Sequence, residues 1–225
     1  MALVASAGPL VQWSWVSSER STIVSLLWQH IELTVIAVAV GLAIAVPLGI
    51  LAWRVPIVRP PLVGLTGALY VVPSIALLSL VAPLTGFFSI TTAEVALVGY
   101  TLLILLRNTV AGLESVPPDA QDAARGMGYT STQELLKVQL PLALPSILAG
   151  VRIATVTTIG LVTVTAFIGQ GGLGQLIIQG FSEDFNTPIF VGLVLSVLLA
   201  GVADALIVGV QRVSLPWVRR RGTTG

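Results

Sequence analysis

The sequence predicts an all-α, polytopic membrane protein of about five transmembrane helices, its N-terminus outside, its C-terminus inside, and a helix-turn-helix exposed on the inner side. Three observations carry that prediction. Of 225 residues, 55% are hydrophobic and only 9% charged, with a mean hydropathy of +0.97; soluble domains carry about 25% charged residues. The apolar residues collect into five long runs. The few charges collect between those runs, most densely from Leu113 to Pro145. The whole chain, 1–225, reads as a single transmembrane domain, with 1–30 an extracytoplasmic or interfacial segment and 113–141 the inner loop.

The N-terminal segment has no basic residue before Arg20, so it does not read as a cleavable signal peptide. Pro9, Trp13, Trp15 and the polar run Ser17–Arg20 suit a short helix lying in the interface, the level of the bilayer that tryptophan favours. A span needs about 20 mainly apolar residues. The first is Ile31–Trp53, opened by His30 and Glu32, which read as a solvated helix end rather than a pH sensor. The second is Leu62–Ala82. Its Pro73, like Pro47 in the first, removes one backbone bond, and the freed carbonyl needs a new partner in lipid; Ser74 is the expected donor. Tyr70–Ile75 then either lines a path that bends or is a proline tolerated in a packed bundle. The third span is Ala93–Thr109, the fourth Leu142–Ile168 and the fifth Pro188–Gly209. Candidate path residues are Tyr70, Pro73, Ser74, Asn108 and Asp204.

Asp204 is the one acid well inside an apolar run. An ionised acid at a helix centre costs about 2.5–3.5 kcal/mol on insertion scales, so Asp204 is expected to face the bundle interior and pair with Arg152, with Arg107 the second choice. A structural clamp is the favoured role over a substrate-contacting carboxylate.

Basic residues set the orientation. Arg54 and Arg59 fill the first connection, Arg107, Arg125 and Lys137 border or occupy the central loop, and Arg212, Arg219, Arg220 and Arg221 form the tail. The connections around Leu84–Thr92 and Gly169–Thr187 have no Lys or Arg. The positive-inside rule therefore puts the central loop and the C-terminus inside.

That loop reads as two short helices. Pro117 and Pro118 stop the preceding helix and Asp119 is a plausible N-cap. Ala120, Ala123, Ala124 and Met127 then fall at i, i+3, i+4 and i+7, a stripe of mostly small side chains, with Asp119, Asp122 and Arg125 off it. Gly126 and Gly128 end the turn. Ser131 and Glu134 have the form of a capping box opening a second helix through about Val138, and Pro141 and Pro145 suit the start of a new one. A face of alanines lets a partner surface approach the backbone closely; the alternative is an ordinary hairpin between two membrane helices.

This segment resembles the cytoplasmic loop of ABC-importer permeases, whose pattern is Glu-Ala-Ala, three residues, Gly, nine residues, Ile, one residue, Leu-Pro. Asp122, Ala123 and Ala124 occupy the first three places, Gly128 the Gly, Val138 the Ile, and Leu140 and Pro141 the last two. Asp for Glu and Val for Ile depart from the pattern but keep charge or shape. The resemblance implies a coupling helix that docks into a separate ATP-binding subunit, with Asp119, Ala120, Asp122, Ala123, Ala124, Gly126, Gly128, Val138, Leu140 and Pro141 forming the docking loop. A narrower likeness, to permeases for glycine betaine, choline and related solutes, rests on FIGQGGLG from Phe167 to Gly174, on His30–Thr34, on Val46–Ile50 and on Val72–Leu77.

Other chemistries find little support. With no cysteine, thiolate zinc sites, disulfides and thiol catalysis are excluded; one histidine leaves little for imidazole chemistry, and no metal site is expected. Gly169–Gly174 lacks the Lys-Ser/Thr of a phosphate-binding loop and follows a helix rather than a strand, so it reads as a tight outer turn or short re-entrant segment. Trp13, Trp15, Trp28, Trp53 and Trp217 all fall near interfaces, so a tight aromatic cage for a cation is expected on a separate binding protein. The resemblance implies a non-enzymatic permease subunit in the cell membrane. It would bind no cofactor itself, ATP and Mg²⁺ residing on a cytoplasmic ATPase dimer. A second permease copy or sister subunit, an extracytoplasmic substrate-binding protein and the lipid bilayer are its other partners, and nucleic acid is not. Expected substrates are glycine betaine, choline, carnitine, proline-betaine and similar osmoprotectants. Alternatives are an ABC permease for amino acids such as methionine, a stand-alone secondary transporter or channel, and an intramembrane serine hydrolase using Ser74.

Overall fold

The structure, a computed structural model, describes residues 11–214; Pro9, Trp217 and the arginines at 219–221 lie outside them. The described residues form helices α1 (Trp13–Ser18), α2 (Arg20–Arg54), α3 (Arg59–Val71), α4 (Ser74–Thr85), α5 (Ile90–Glu114), α6 (Pro118–Gly126), α7 (Ser131–Glu134), α8 (Leu140–Val162), α9 (Gly174–Ser182) and α10 (Asn186–Ser214). Short 3₁₀ turns occupy Pro56–Val58 and Val164–Ile168, and a π-helical turn, Leu135–Gln139, joins α7 to α8 without a break.

Four helices, Arg20–Arg54, Ile90–Glu114, Ser131–Val162 and Asn186–Val213, are long and apolar enough to cross a membrane, and the bent pair α3–α4 is the fifth candidate. The fourth span is one rod with the second arm of the hairpin, where the sequence reading had a separate helix starting near Pro141. At 1.5 Å per residue, α2 is about 52 Å long against a hydrocarbon core of about 30 Å. Residues 20–30 are therefore a continuation of the same helix, and among the described residues before them α1 is separate.

The expected straight second span over Leu62–Ala82 is instead broken, with α3 and α4 inclined at 103°. Pro73 cannot donate a backbone bond, and it holds Val72 in extended conformation, ψ 128°. The partner for the carbonyl exposed at this break is not Ser74. The Tyr100 hydroxyl, from α5, donates to the Val72 carbonyl, which answers the demand that lipid makes on unpaired backbone.

Helix α5 is the hub, packed along α2 and α8 and also against α3 and α4. Of its apolar stretch 56% is buried, against 11% for α10. Small residues set the seams: Gly41 and Gly49 of α2 lie against Thr101 and Thr109, and Gly112 and Gly150 let α5 and α8 meet at Ala143 and Asn108. Without a hydrophobic driving force between helices in lipid, close van der Waals contact of this kind holds the bundle. The seam hydroxyls turn inward on their own helices; Thr109 donates to Leu105 O at 2.8 Å.

At the end opposite the hairpin the chain closes on His30. Rather than a solvated helix end, His30 is fully buried, its Nε2 3.0 Å from Ile159 O. The reason is Gly172, whose φ of +49° folds the Gly169–Gly174 turn onto the His30 backbone; a Cβ there would lie 2.8 Å from His30 Cα. Neutral amides complete the seal. Gln29 Oε1 accepts from Gly172 N at 3.2 Å and from Gln175 Nε2 at 3.0 Å, while Gln170 Nε2 donates to Phe88 O at 3.0 Å.

Candidate functional site

The hairpin α6–α7 begins where Pro117 ends the run from α5. Pro118 takes the first helical position, where a missing N–H costs nothing. Asp119 therefore sits one residue inside the helix rather than capping it, its carboxylate in the first turn where the helix dipole favours negative charge. The turn is closed by Gly128 at φ +78°, a left-handed position suited to glycine, with Gly128 N donating to Arg125 O at 2.9 Å and Tyr129 N to Ala124 O at 3.1 Å.

The capping box exists, but one residue earlier than Ser131 and Glu134 suggest. Thr130 Oγ1 accepts from Gln133 N at 3.4 Å, and Gln133 Oε1 accepts from Thr130 N at 2.9 Å. This frees Glu134 for another task. It is buried, and it receives Gln139 Nε2 at 2.8 Å and Arg125 Nε at 3.3 Å; Gln139 Nε2 also lies 3.4 Å from Gln121 Oε1. Glu134, Gln139, Arg125 and Gln121 thus clip the two arms together, a role the sequence reading missed. The available signal was a lone carboxylate beside Leu135, which is itself buried.

This clip divides the alanine stripe. Ala124 is fully buried against the second arm and Ala120 is half-buried, while Ala123, Gly126 and Met127 are exposed together with Asp119 and Asp122. The face open to a partner is therefore Asp119, Asp122, Ala123, Gly126 and Met127, turned from the stripe expected. Of the remaining loop residues, Val138, Leu140 and Pro141 are half-buried at and just after the π turn. Leu140, with Leu113, Val116, Leu135, Ala143 and Ile147, forms the apolar cluster that seats the hairpin on the C-terminal end of α2 around Trp53. Arg54 NH2 donates to Ser131 O at 3.2 Å, beside a polar cleft of about 480 Å³ between α2 and the hairpin. Arg59 and Glu114 pair across the start of α3 and the end of α5.

The five candidate path residues do not surround one cavity. Tyr70, Pro73 and Ser74 gather at the α3–α4 break, where the Tyr70 ring meets Tyr100 edge-on at 6.0 Å. Asn108 lies in the α5–α8 seam, accepting from Ser146 Oγ at 3.0 Å and donating to Ile104 O at 2.8 Å. Asp204 pairs in two-pronged fashion with Arg152, whose NH2 is 2.8 Å from Oδ2. That pair lies on the face between α8 and α10 and is partly exposed, not in the interior of the single chain. Among the described residues no group of three His, Asp or Glu could hold a metal ion.

Comparison with known proteins bears on this geometry. Residues 37–219 match the model of the binding-protein-dependent transport system inner membrane component. The osmoprotectant import permease protein OsmW of Salmonella typhimurium is 39% identical over 196 residues, 85% of this chain and 91% of that protein. The choline transport system permease protein OpuBB of Bacillus subtilis is 35% identical over 189 residues, 84% of this chain and 87% of that protein. In three dimensions, one chain of the inward-facing MetNI methionine ABC transporter superposes with a TM-score of 0.79 at 25% identity, covering 85% of this chain and 95% of that one.

Proposed function

The chain belongs to the family of binding-protein-dependent transport system inner membrane components, and from that premise we propose that it is the permease subunit of an ATP-driven importer of quaternary-amine osmoprotectants. Relatives named for osmoprotectant and choline transport support the substrate class. The observation that carries the mechanism is the clipped hairpin, a rigid, polar projection from an otherwise apolar bundle, with small and acidic side chains on its free face.

In this reading the hairpin docks on a cytoplasmic ATPase subunit. The basic residues around it put it inside, and the Arg-free outer turns face a substrate-loaded binding protein. A second permease subunit completes the path. ATP-driven closure of the ATPase pair moves the two hairpins, and the bundle alternates between inward- and outward-open forms because docking differs in free energy between the two states. The ATPase itself, the binding protein and the nucleotide with its Mg²⁺ are supplied by other chains.

The test is co-expression with the ATPase and binding protein, followed by reconstitution of Ala123→Trp. Ala123 is exposed, so a large side chain there leaves the fold intact and obstructs docking. Uptake of labelled choline or glycine betaine falls at least tenfold in this variant while the permease still purifies as a folded protein. Full uptake with Ala123→Trp, or preferential uptake of methionine by the wild type, overturns the assignment.

A further inference from the structure

Near the start of α5, Glu94 has both carboxylate oxygens buried and neither has a hydrogen-bond partner among the described residues. Glu94 lines a groove of about 450 Å³ between α2, α4 and α5 whose walls are almost wholly apolar, among them Ile36, Val40, Val81, Val98 and Leu102. No Lys or Arg among the described residues lines it. Glu32, one helical turn before Ile36 on the same face of α2, is exposed near the mouth, close enough for its charge to act on Glu94. A carboxylate surrounded by hydrocarbon and lacking donors is costly and is relieved by a proton or by a bound cation; no side chain among the described residues supplies that cation.

We infer that Glu94 is the charge-recognition point of a transmembrane site for a quaternary ammonium group, with the groove as its apolar wall. The match is one of chemistry. A quaternary ammonium carries full positive charge but no N–H, so it asks for an anion without asking for acceptors around it, and its methyl shell suits branched aliphatic walls. A primary ammonium or guanidinium would need further acceptors that the groove does not offer. The volume lies within the range of about 300–1,000 Å³ usual for small-molecule sites. Glu32 at the mouth adds negative potential along the approach, and with Glu94 is the titratable group facing this groove. The inference rests on the proposed function and names where in the chain that substrate class is recognised; Glu94 was not among the path residues expected from sequence.

The experiment uses the complete transporter, permease with ATPase and binding protein, in proteoliposomes, and measures labelled choline uptake and the thermal unfolding of the assembled complex. Glu94→Gln keeps the shape and removes the charge. Uptake falls roughly tenfold or more, Glu94→Asp falls less, and the unfolding temperature of Glu94→Gln rises because an unpaired charge has left apolar surroundings. A merely structural carboxylate would lower stability when replaced. Undiminished choline uptake by Glu94→Gln overturns this inference and leaves the proposed function standing. Failure of Glu94→Gln to assemble, or a lowered unfolding temperature, also overturns it, by showing a structural partner for the carboxylate. A wild-type complex that couples ATP hydrolysis but moves no quaternary ammonium compound overturns the proposed function, and this site with it.

Discussion

The two ends of the bundle are held together by different chemistry. At the end opposite the hairpin Gln29, Gln170 and Gln175 fasten the Gly169–Gly174 turn to α2, and the buried His30 ties α2 to the Ile159 carbonyl of α8. At the inner end the hairpin is clipped by Arg125 and Glu134 and flanked by the Arg59–Glu114 pair. Neutral bonds lose little on burial and hold a fixed closure. Charged ones at a surface are weaker in water and respond to what docks against them. The end around His30 is thus built as a fixed closure and the hairpin end as a charged surface open to water.

The largest test of this contrast is at the seal. Gly172→Ala places a Cβ on the His30 backbone and forces a left-handed conformation on alanine; the two effects together cost about 3 kcal/mol or more, and the yield of folded, detergent-solubilised protein should collapse. Next is Gln29→Leu, which strips the acceptor from Gly172 N–H and Gln175. Leaving those groups unpaired costs about 1–3 kcal/mol, read as a lowered unfolding temperature and faster proteolysis of the outer turn.

At the inner end the effects are smaller and more local. Glu134→Leu opens the clip. A wholly buried ion pair broken on one side would cost about 3–5 kcal/mol, but Arg125 is 62% exposed and regains water, so about 1–2 kcal/mol is expected. Hydrogen exchange should show it as loosened amides in 118–139 with the outer turn unchanged. The pair Ala124→Leu and Ala123→Leu sharpens the picture within the hairpin. Overpacking at buried Ala124 costs about 1–3 kcal/mol, whereas exposed Ala123 tolerates the change and alters only docking. Smallest is Arg59→Gln, worth about 0–1 kcal/mol at low salt, and the difference from wild type should vanish at about 1 M salt, where screening acts within about 3 Å.

These contrasts explain what could be read before the structure. The long apolar runs and the charged interval between them are local properties, so the spans and the hairpin were legible from hydropathy and composition alone, as was the partnership of Asp204 with Arg152, since a lone membrane acid has few places to go. The break at Pro73 was legible as a kink, but neither its 103° size nor the hydroxyl that satisfies it, from Tyr100 on another helix, is a local property. His30 looked like a helix end because its cover, Gly172, comes from far down the chain. The alanine stripe was correct as a periodicity and misleading as a face: helical spacing says which residues share a side, and only the position of Glu134 and Gln139 says which side is covered. Glu94 was not singled out, because its isolation is a property of three neighbouring helices and not of the local sequence.

The π turn at Leu135–Gln139 has one further consequence. Because it joins α7 to α8 with no loop, residues 131–162 form a single lever about 48 Å long, with its fulcrum where the Leu113–Ile147 cluster grips it. A tilt of about 5° about that fulcrum sweeps the far tip, next to His30 and the sealed turn, through about 2 Å. Any tilt imposed on the hairpin is thus carried to the opposite end of the bundle along one continuous helix.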